Sequence, residues 1–451
     1  MSQPLRTTVI GTGYLGATHA AAMAESGFEV LGVDVDPAKI KSLSRGEVPF
    51  FEPGLPDLLA KHVGSGRLRF TTDYAEAAEF GDLHFIAVGT PQNPRSNAAD
   101  LSQVHGAVSA LAPLLNRPCT VVGKSTVPVG TAANLRQRLQ ALAPAGSDVE
   151  LVWNPEFLRE GFAVADTLTP DRIVIGLADP GAAGEPATRA EEVMRRAYAP
   201  MIEWGSPFLV MDYATSELVK VAANSFLATK ISFINAMAEV CEATGADVTR
   251  LAQAIGYDDR IGSKFLRAGI GFGGGCLPKD IRAFMARAGE LGVSDALSFL
   301  RDVDAINTRR RSTTVALARE LVGGRFVGKR IAVLGAAFKP DSDDVRDSPA
   351  LDIAAAIYTA GGDVIVHDPE AMANARAAFP KMAYAADLRH ALTGADLVLL
   401  LTEWRDYTEL DPAEVVGLPA RPLILDGRNA LDVARWRAAG WSYRGLGRPN
   451  A

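Results

Sequence analysis

Thr7-Thr8-Val9-Ile10-Gly11-Thr12-Gly13-Tyr14-Leu15-Gly16 opens the chain, and after a stretch with helical spacing from Ala17 to Ser26 comes Val30-Leu31-Gly32-Val33-Asp34. The order is strand, G-x-G-x-x-G, helix, strand, acid, as a dinucleotide-binding βαβ unit requires. Gly11 permits the tight turn, Gly13 lets a pyrophosphate approach the backbone, and Gly16 lets helix and strand pack closely. The pyrophosphate is expected on the helix N-terminus, where unpaired amides and the dipole favour an anion. Asp34 is suited to accept hydrogen bonds from the adenosine ribose and to repel a 2′-phosphate, so NAD is favoured over NADP. A bare glycine fingerprint is often only a turn; both strands and the acid make this one specific.

Downstream, apolar runs alternate with helical patterns. Residues 82–88 read as a buried strand ending at Gly89-Thr90-Pro91, and Thr120-Val121-Val122 as one ending at Lys124-Ser125-Thr126-Val127-Pro128. Leu151-Val152-Trp153 leads into Asn154-Pro155-Glu156-Phe157-Leu158, and Arg172-Ile173-Val174-Ile175 is a further strand. Ligands of open α/β sheets bind beyond the carboxyl ends of the strands, so Thr90, Ser125, Thr126, Glu156 and Glu160 are expected on the cofactor side. Ordinary capping and turn chemistry remains an alternative for Thr90 and Ser125 taken singly.

Between residues 212 and 245 neither Gly nor Pro interrupts an Ala-, Leu-, Val- and Ile-rich helical pattern. Such a helix would run about 50 Å. It suits a backbone joining two domains, or a dimer interface. Lys220 and Asn224 share one of its faces and could point into a polar cleft; a snorkelling lysine and a helix–helix contact are the alternatives.

Gly271-Phe272-Gly273-Gly274-Gly275-Cys276-Leu277-Pro278-Lys279-Asp280 then sets one cysteine after a glycine run. Pro278 suits the first turn of a helix that continues through Ile281, Phe284 and Met285. Cys276 would lie at that helix's N-terminus, where amides, the dipole and Lys279 favour thiolate over thiol. This reads as a nucleophile, against the alternative of a small buried cysteine in a turn.

From about residue 312 a second strand–helix alternation begins, with strands at 330–335, 363–368, 396–401 and 423–426. Its first turn carries Phe338-Lys339 in place of the glycine fingerprint, so a nucleotide would bind there differently, or not at all. Lys339 offers a point charge to a substrate phosphate. The expected fold class is therefore α/β: two doubly wound Rossmann-like domains joined by a long central helix and a helical middle domain. The divisions fall at 1–211, 212–311 and 312–451.

The composition suits a soluble enzyme of 451 residues, 48% of them hydrophobic. The net charge of −7 and the lack of a basic cluster argue against nucleic acid as a partner. Three separated cysteines (Cys119, Cys241, Cys276) and six scattered histidines fit neither a disulfide framework nor a metal site, and point to a reducing cytoplasm. No signal peptide is expected, and no apolar run approaches the ~20 residues of a membrane span.

These motifs together resemble the UDP-glucose/GDP-mannose dehydrogenase family over nearly the whole chain. The carriers are the Gly11–Gly16 fingerprint, Phe51-Glu52-Pro53-Gly54-Leu55, Gly89-Thr90-Pro91, the segment from Ser125 to Gly130, and Asn154-Pro155-Glu156-Phe157-Leu158. Lys220 with Asn224, the Gly271–Asp280 segment, Phe338-Lys339 with Asp344 and Arg346, and Thr402-Glu403-Trp404 complete the set. The last of these resembles the uridine-type members more than the GDP-mannose ones.

The resemblance implies a four-electron oxidation at C6 of UDP-glucose, giving UDP-glucuronate, with two NAD consumed and Cys276 carrying a thiohemiacetal and then a thioester. Lys220, with Asn224 beside it, would stabilise the oxyanion. Asp280 would orient or deprotonate water, and Thr126 and Glu156 would hold a water near the reacting oxygen. The cofactor set it implies is Gly11, Gly13, Tyr14, Leu15, Gly16, Asp34, Lys39, Thr90, Ser125, Thr126, Glu160, Cys276, Lys279 and Arg346. Substrate contacts are implied for Glu156, Phe157, Leu158, Glu160, Lys220, Asn224, Phe265, Phe272, Gly273, Cys276, Phe338, Lys339 and Arg428. Arg260 is implied in the partner subunit's sugar site of a homodimer. Residues 1–211 would bind NAD, 212–311 would dimerise and carry the cysteine loop, and 312–451 would hold the UDP-sugar. Three alternatives stand: a dehydrogenase of UDP-N-acetylmannosamine or GDP-mannose, a two-electron hydroxyacid dehydrogenase, and a non-catalytic nucleotide-binding protein.

Overall fold

The computed structural model describes residues 5–93, 95–181 and 188–449. The chain divides into two compact units, one built from residues up to 223 together with 282–291, the other from 224–281 and 292 onward.

The first unit is built on eight strands: β1 (Arg6–Ile10), β2 (Glu29–Val33), β3 (Leu68–Thr71), β4 (Leu83–Ile86), β5 (Cys119–Gly123), β6 (Val149–Trp153), β7 (Ile173–Leu177) and β8 (Phe208–Asp212). They hydrogen-bond in the order β3-β2-β1-β4-β5-β6-β7-β8. All neighbours run parallel except β6 and β7, which meet antiparallel at Trp153 and Gly176. Alternate residues of each central strand face opposite layers. Val9, Phe85, Val122 and Val152 belong to one core, with Ala20 and Met23 of the helix Tyr14–Glu25. Ile10, Ile86, Val121 and Leu151 belong to the other. Burial on both faces is why these strands read as unbroken apolar runs. The strand order reverses between β1 and β4, so the fingerprint after β1 and the Gly89-Thr90 loop after β4 flank the switch point where such sheets bind ligands.

The second unit holds six parallel strands: β9 (Arg330–Leu334), β10 (Asp363–His367), β11 (Ala383–Tyr384), β12 (Leu397–Leu400), β13 (Leu423–Asp426) and β14 (Ser442–Gly445). Their order is β11-β10-β9-β12-β13-β14, the same plan with its switch between β9 and β12. Two helices, Val248–Gly256 and Phe299–Leu321, also belong to this unit. Arg310, fully buried, hydrogen-bonds the Gly269 carbonyl at 3.2 Å and faces Glu239 and Glu242 at 3.9 and 3.7 Å.

The uninterrupted pattern from 212 to 245 is one helix, Tyr213–Thr244, of 32 residues. Among the described residues, no helix is long and apolar enough to cross a membrane.

Candidate active site

The dinucleotide turn has the geometry its glycines imply. Gly11 adopts φ +89°, closed to most side chains, and its amide donates to Val33 O at 2.7 Å. A Cβ at Gly16 would sit 1.7 Å from Gly11 O, so helix and strand meet there without space for a methyl. A Cβ at Gly13 would meet nothing within 4 Å, which leaves the open side that an approaching pyrophosphate needs. The cradle fits NAD.

Asp34 is buried and busy. Its carboxylate accepts from Thr12 N (2.9 Å), Thr12 Oγ1 (3.1 Å), Asp36 N (3.1 Å) and Lys39 Nζ (2.8 Å). Burial pushes its pKa up, but the hydrogen bonds from Lys39, Thr12 and Asp36 outweigh burial and hold it below the usual carboxylate range. Lys39 thus stands beside the acid that ends the second strand of the βαβ unit.

Two hydroxyls staple the next loops. Thr90 Oγ1 donates to Thr126 O (2.9 Å), and Ser125 Oγ donates to Val88 O (2.6 Å). Both side chains perform the turn chemistry left open for them, and in doing so they fix Thr126 beside the β4 loop. Lys124, just before them, is buried and donates to Asn154 Oδ1 (2.9 Å) and Tyr198 Oη (3.3 Å). Burial lowers its pKa to about 8, with Glu156 pulling the other way. Residue type and spacing alone assign Lys124 no role.

Asn154 ties the β6 loop to β7 through Val174 O at 2.8 Å. Beyond it, Glu156 Oε1 lies 3.1 Å from Lys220 Nζ, while its other oxygen accepts Leu158 N at 2.7 Å. Phe157 presents its ring to Lys220 (5.7 Å) and Arg172 (3.8 Å). Glu217, one turn before Lys220, is buried and accepts Gly130 N and Ala132 N, both at 2.7 Å. It therefore pins the lysine's helix to the end of the loop that carries Thr126. No residue-type pattern announces such a bond, because the partners are backbone amides.

In the second unit Cys276 is exposed and directly precedes the helix Leu277–Glu290, whose Asp280 N donates to Cys276 O at 2.9 Å. The thiol stands at a helix head, as expected. Asp280 is buried one turn on, where Oδ2 accepts Asn224 Nδ2 (2.7 Å) and Oδ1 accepts Lys279 Nζ (2.6 Å). Asn224 follows Lys220 by four residues on the long helix.

The glycine run packs against the loop after β9. A Cβ at Gly273 would lie 2.2 Å from Asp347 O, and one at Gly275 2.4 Å from the Arg346 guanidinium carbon. Phe272 is clasped by Asn307, which accepts its N–H (2.8 Å) and donates to its carbonyl (2.9 Å). Arg346 is also bound to Asp344 at 2.6 Å. Arg428 directs its donors to the carbonyls of Leu401 (2.7 Å), Gly271 (3.0 Å) and Phe338 (3.0 Å), so here it braces the cysteine loop against the second sheet. Lys339 lies 5.8 Å from the Phe338 ring. Phe265 has φ +64°, and Arg260 is 89% exposed and paired with Asp258 at 2.7 Å.

The second sheet has its own strand-end acid, Asp368, and the protein saturates it. Oδ2 accepts Ala336 N (2.7 Å), Ala337 N (3.0 Å) and Trp404 Nε1 (3.1 Å), and Oδ1 accepts Glu370 N (3.0 Å) and Ala371 N (2.8 Å). Ala337 follows Gly335 as Gly13 follows Gly11, with a methyl where the first turn is open.

Fold and turn define a nicotinamide-dinucleotide dehydrogenase with a second nucleotide domain of different construction. The chain belongs to the UDP-glucose/GDP-mannose dehydrogenase family: its NAD binding domain matches residues 5–202, its central domain 214–309 and its UDP binding domain 332–433. A UDP-glucose 6-dehydrogenase of Rhizobium meliloti is 42% identical over 449 residues, covering 99% of this chain and 100% of that one. One of Pseudomonas aeruginosa is 40% identical over 456 residues, covering 99% and 98%. The solved structure of a UDP-glucose dehydrogenase from the archaeon Pyrobaculum islandicum superposes with a TM-score of 0.89 at 38% identity, covering 99% and 98%.

Proposed function

We infer that the protein oxidises UDP-glucose at C6 to UDP-glucuronate, using NAD, as a UDP-glucose 6-dehydrogenase. The observation that carries this reading is full-length similarity at 42% identity to an enzyme of that name.

Bound at the Gly11–Gly16 turn, NAD supplies a hydride acceptor. The chain's residues do the rest. Lys220, paired with Glu156, stabilises negative charge on the sugar's reacting oxygen. Once the alcohol has lost a hydride and a proton, the Cys276 thiolate adds to the aldehyde carbon and retains it as a thiohemiacetal. Loss of the thiohemiacetal's hydroxyl proton and of a second hydride, accepted by a second NAD at the same turn, would leave a thioester. Water adds to its carbonyl, with Asp280 as base, and the carbon–sulfur bond breaks to give the carboxylate and free Cys276. Asn224 orients Asp280, and Lys279 balances its charge. Thr126 holds a water near the reacting oxygen.

Lys339 takes a phosphate of the nucleotide sugar, and the saturated Asp368 supports one NAD site per chain. A homodimer forms along the long helix, where Phe226, Phe233 and Val240 recur every seven residues and remain 67%, 50% and 52% exposed. Arg260 then serves the partner's sugar site, consistent with its exposure. Three cysteines outside any disulfide fit a cytoplasmic enzyme. The test is a panel of UDP-glucose, UDP-galactose, UDP-N-acetylmannosamine and GDP-mannose, scored by NADH formation. Highest kcat/KM with UDP-glucose supports the reading; preference for another sugar redirects it.

A further inference from the structure

The motif Phe51-Glu52-Pro53-Gly54 has no part in the chemistry above, yet Glu52 is only 2% exposed. Its Oε2 accepts the Tyr14 phenol and Gly161 N, the latter at 2.7 Å, while Oε1 accepts Ala163 N at 2.7 Å. Gly161 N also lies 2.9 Å from Tyr14 Oη, closing a triangle of phenol, carboxylate and amide. Burial, and then the hydrogen bond to Glu52, hold the Tyr14 phenol far above its ordinary pKa, so it stays a donor.

The joined segments matter. Tyr14 lies inside the glycine fingerprint and begins the helix Tyr14–Glu25, whose N-terminus receives the dinucleotide. Gly161, at φ +80°, follows Glu160 directly and ends the loop on which Glu156 meets Lys220. One buried carboxylate thus binds both the cofactor turn and the loop of site carboxylates. We propose that Glu52 is a positioning residue that fixes residues 156–161 relative to the dinucleotide turn, so that its loss impairs NAD binding and use of the nucleotide sugar together.

A buried carboxylate shared by several donors is hard to replace. Glutamine keeps the shape but turns one acceptor into a donor that faces the Gly161 N–H. The clasp then opens on one side, and a shift of about 1 Å in a positioning element can cost roughly a hundredfold in rate. The proposal rests on the UDP-glucose reading for its substrate arm, while its NAD arm stands alone.

The experiment measures, for Glu52→Gln and Tyr14→Phe and their combination, the dissociation constant for NAD by calorimetry, the KM for UDP-glucose, kcat, and the melting temperature. In Glu52→Gln we expect the NAD dissociation constant and the UDP-glucose KM both to rise about tenfold, well below the melting temperature. In Tyr14→Phe, which leaves both amides capped, both should rise by about threefold. The double variant should be no worse than Glu52→Gln alone, since the phenol acts through that carboxylate. If Glu52→Gln only melts earlier and keeps both constants, Glu52 is structural and the proposal is wrong. A change in one constant without the other also overturns it. Should Glu52→Gln fail to fold, Tyr14→Phe decides by the same criterion. Failure of the unaltered protein to oxidise UDP-glucose would overturn the functional reading instead, and the NAD arm would still test Glu52.

Discussion

Lys220 Nζ lies 3.1 Å from Glu156 Oε1, and the two side chains are only 7% and 14% exposed. A buried pair of this kind is a weak source of stability, because desolvating both charges offsets much of their attraction. It is a strong device for holding one ammonium in one place. Lys220→Ala should lower kcat by about 100- to 1000-fold, the range for loss of an oxyanion donor, with little change in NAD affinity. Steady-state kinetics with calorimetry checks this; a kcat within threefold of the unaltered enzyme would remove Lys220 from the chemistry.

Asp34 and Lys39 form an ion pair just beyond β2, 2.8 Å apart, where the proposed function puts the adenosine ribose. Asp34→Ala removes the charge expected to repel a 2′-phosphate and releases an ammonium that would attract one. The NAD-over-NADP ratio of kcat/KM should fall by at least about tenfold. An unchanged ratio would mean that selectivity lies elsewhere in the turn.

Lys124 gives a pH signature. Burial lowers its pKa to about 8 from an ordinary 10.5. Below pH 8 both folded and unfolded chains carry the proton, and the folded state bears the full penalty of a buried charge. Between about 8 and 10.5 only the unfolded chain holds it, so native stability gains as pH rises. Compared with Lys124→Met, the unaltered protein should gain on the order of 3 kcal/mol across that window. Denaturant melts at several pH values measure it; parallel pH profiles would refute a buried titrating ammonium.

Phe233, half exposed on the long helix, tests the proposed dimer. Phe233→Glu should shift sedimentation towards monomer and lower activity, while Arg260→Ala should raise the UDP-glucose KM about tenfold and leave the assembly intact. A fully active monomer at micromolar concentration would contradict a shared sugar site.

Much of the fold was legible where strands are buried on both faces. The runs ending at Gly11, Gly89, Lys124 and Gly335 read directly, and so did the helix Tyr213–Thr244. The strands that were not read are β3, β8, β11 and β14; β3, β11 and β14 are partly solvent-facing and too short or too polar for an apolar run, whereas β8 carries Phe208-Leu209-Val210-Met211, an apolar run that was legible. The antiparallel β6–β7 pairing was equally silent, since a single bridge at Trp153 and Gly176 leaves no periodicity. Composition also does not mark where the compact units part, because the division falls inside two helices. Among the candidate residues, Cys276, Lys220 and Asp34 stood out by side-chain chemistry at a turn, a helix face and a strand end. Glu52 and Glu217 did not, because a carboxylate that caps backbone amides needs no particular residue opposite it. Arg428 is a substrate contact only as the resemblance implies it, while in the structure its donors meet carbonyls of the protein itself.

In the proposed reaction Cys276 retains the aldehyde so that one sugar yields two hydrides. The direct measurement counts NADH per UDP-glucose consumed, alongside UDP-glucuronate, for the unaltered protein and for Cys276→Ala. The unaltered protein should give two NADH and one acid, and Cys276→Ala should give no acid while its NAD affinity is kept. One NADH per sugar, or acid formed by Cys276→Ala at near-native rate, would contradict it.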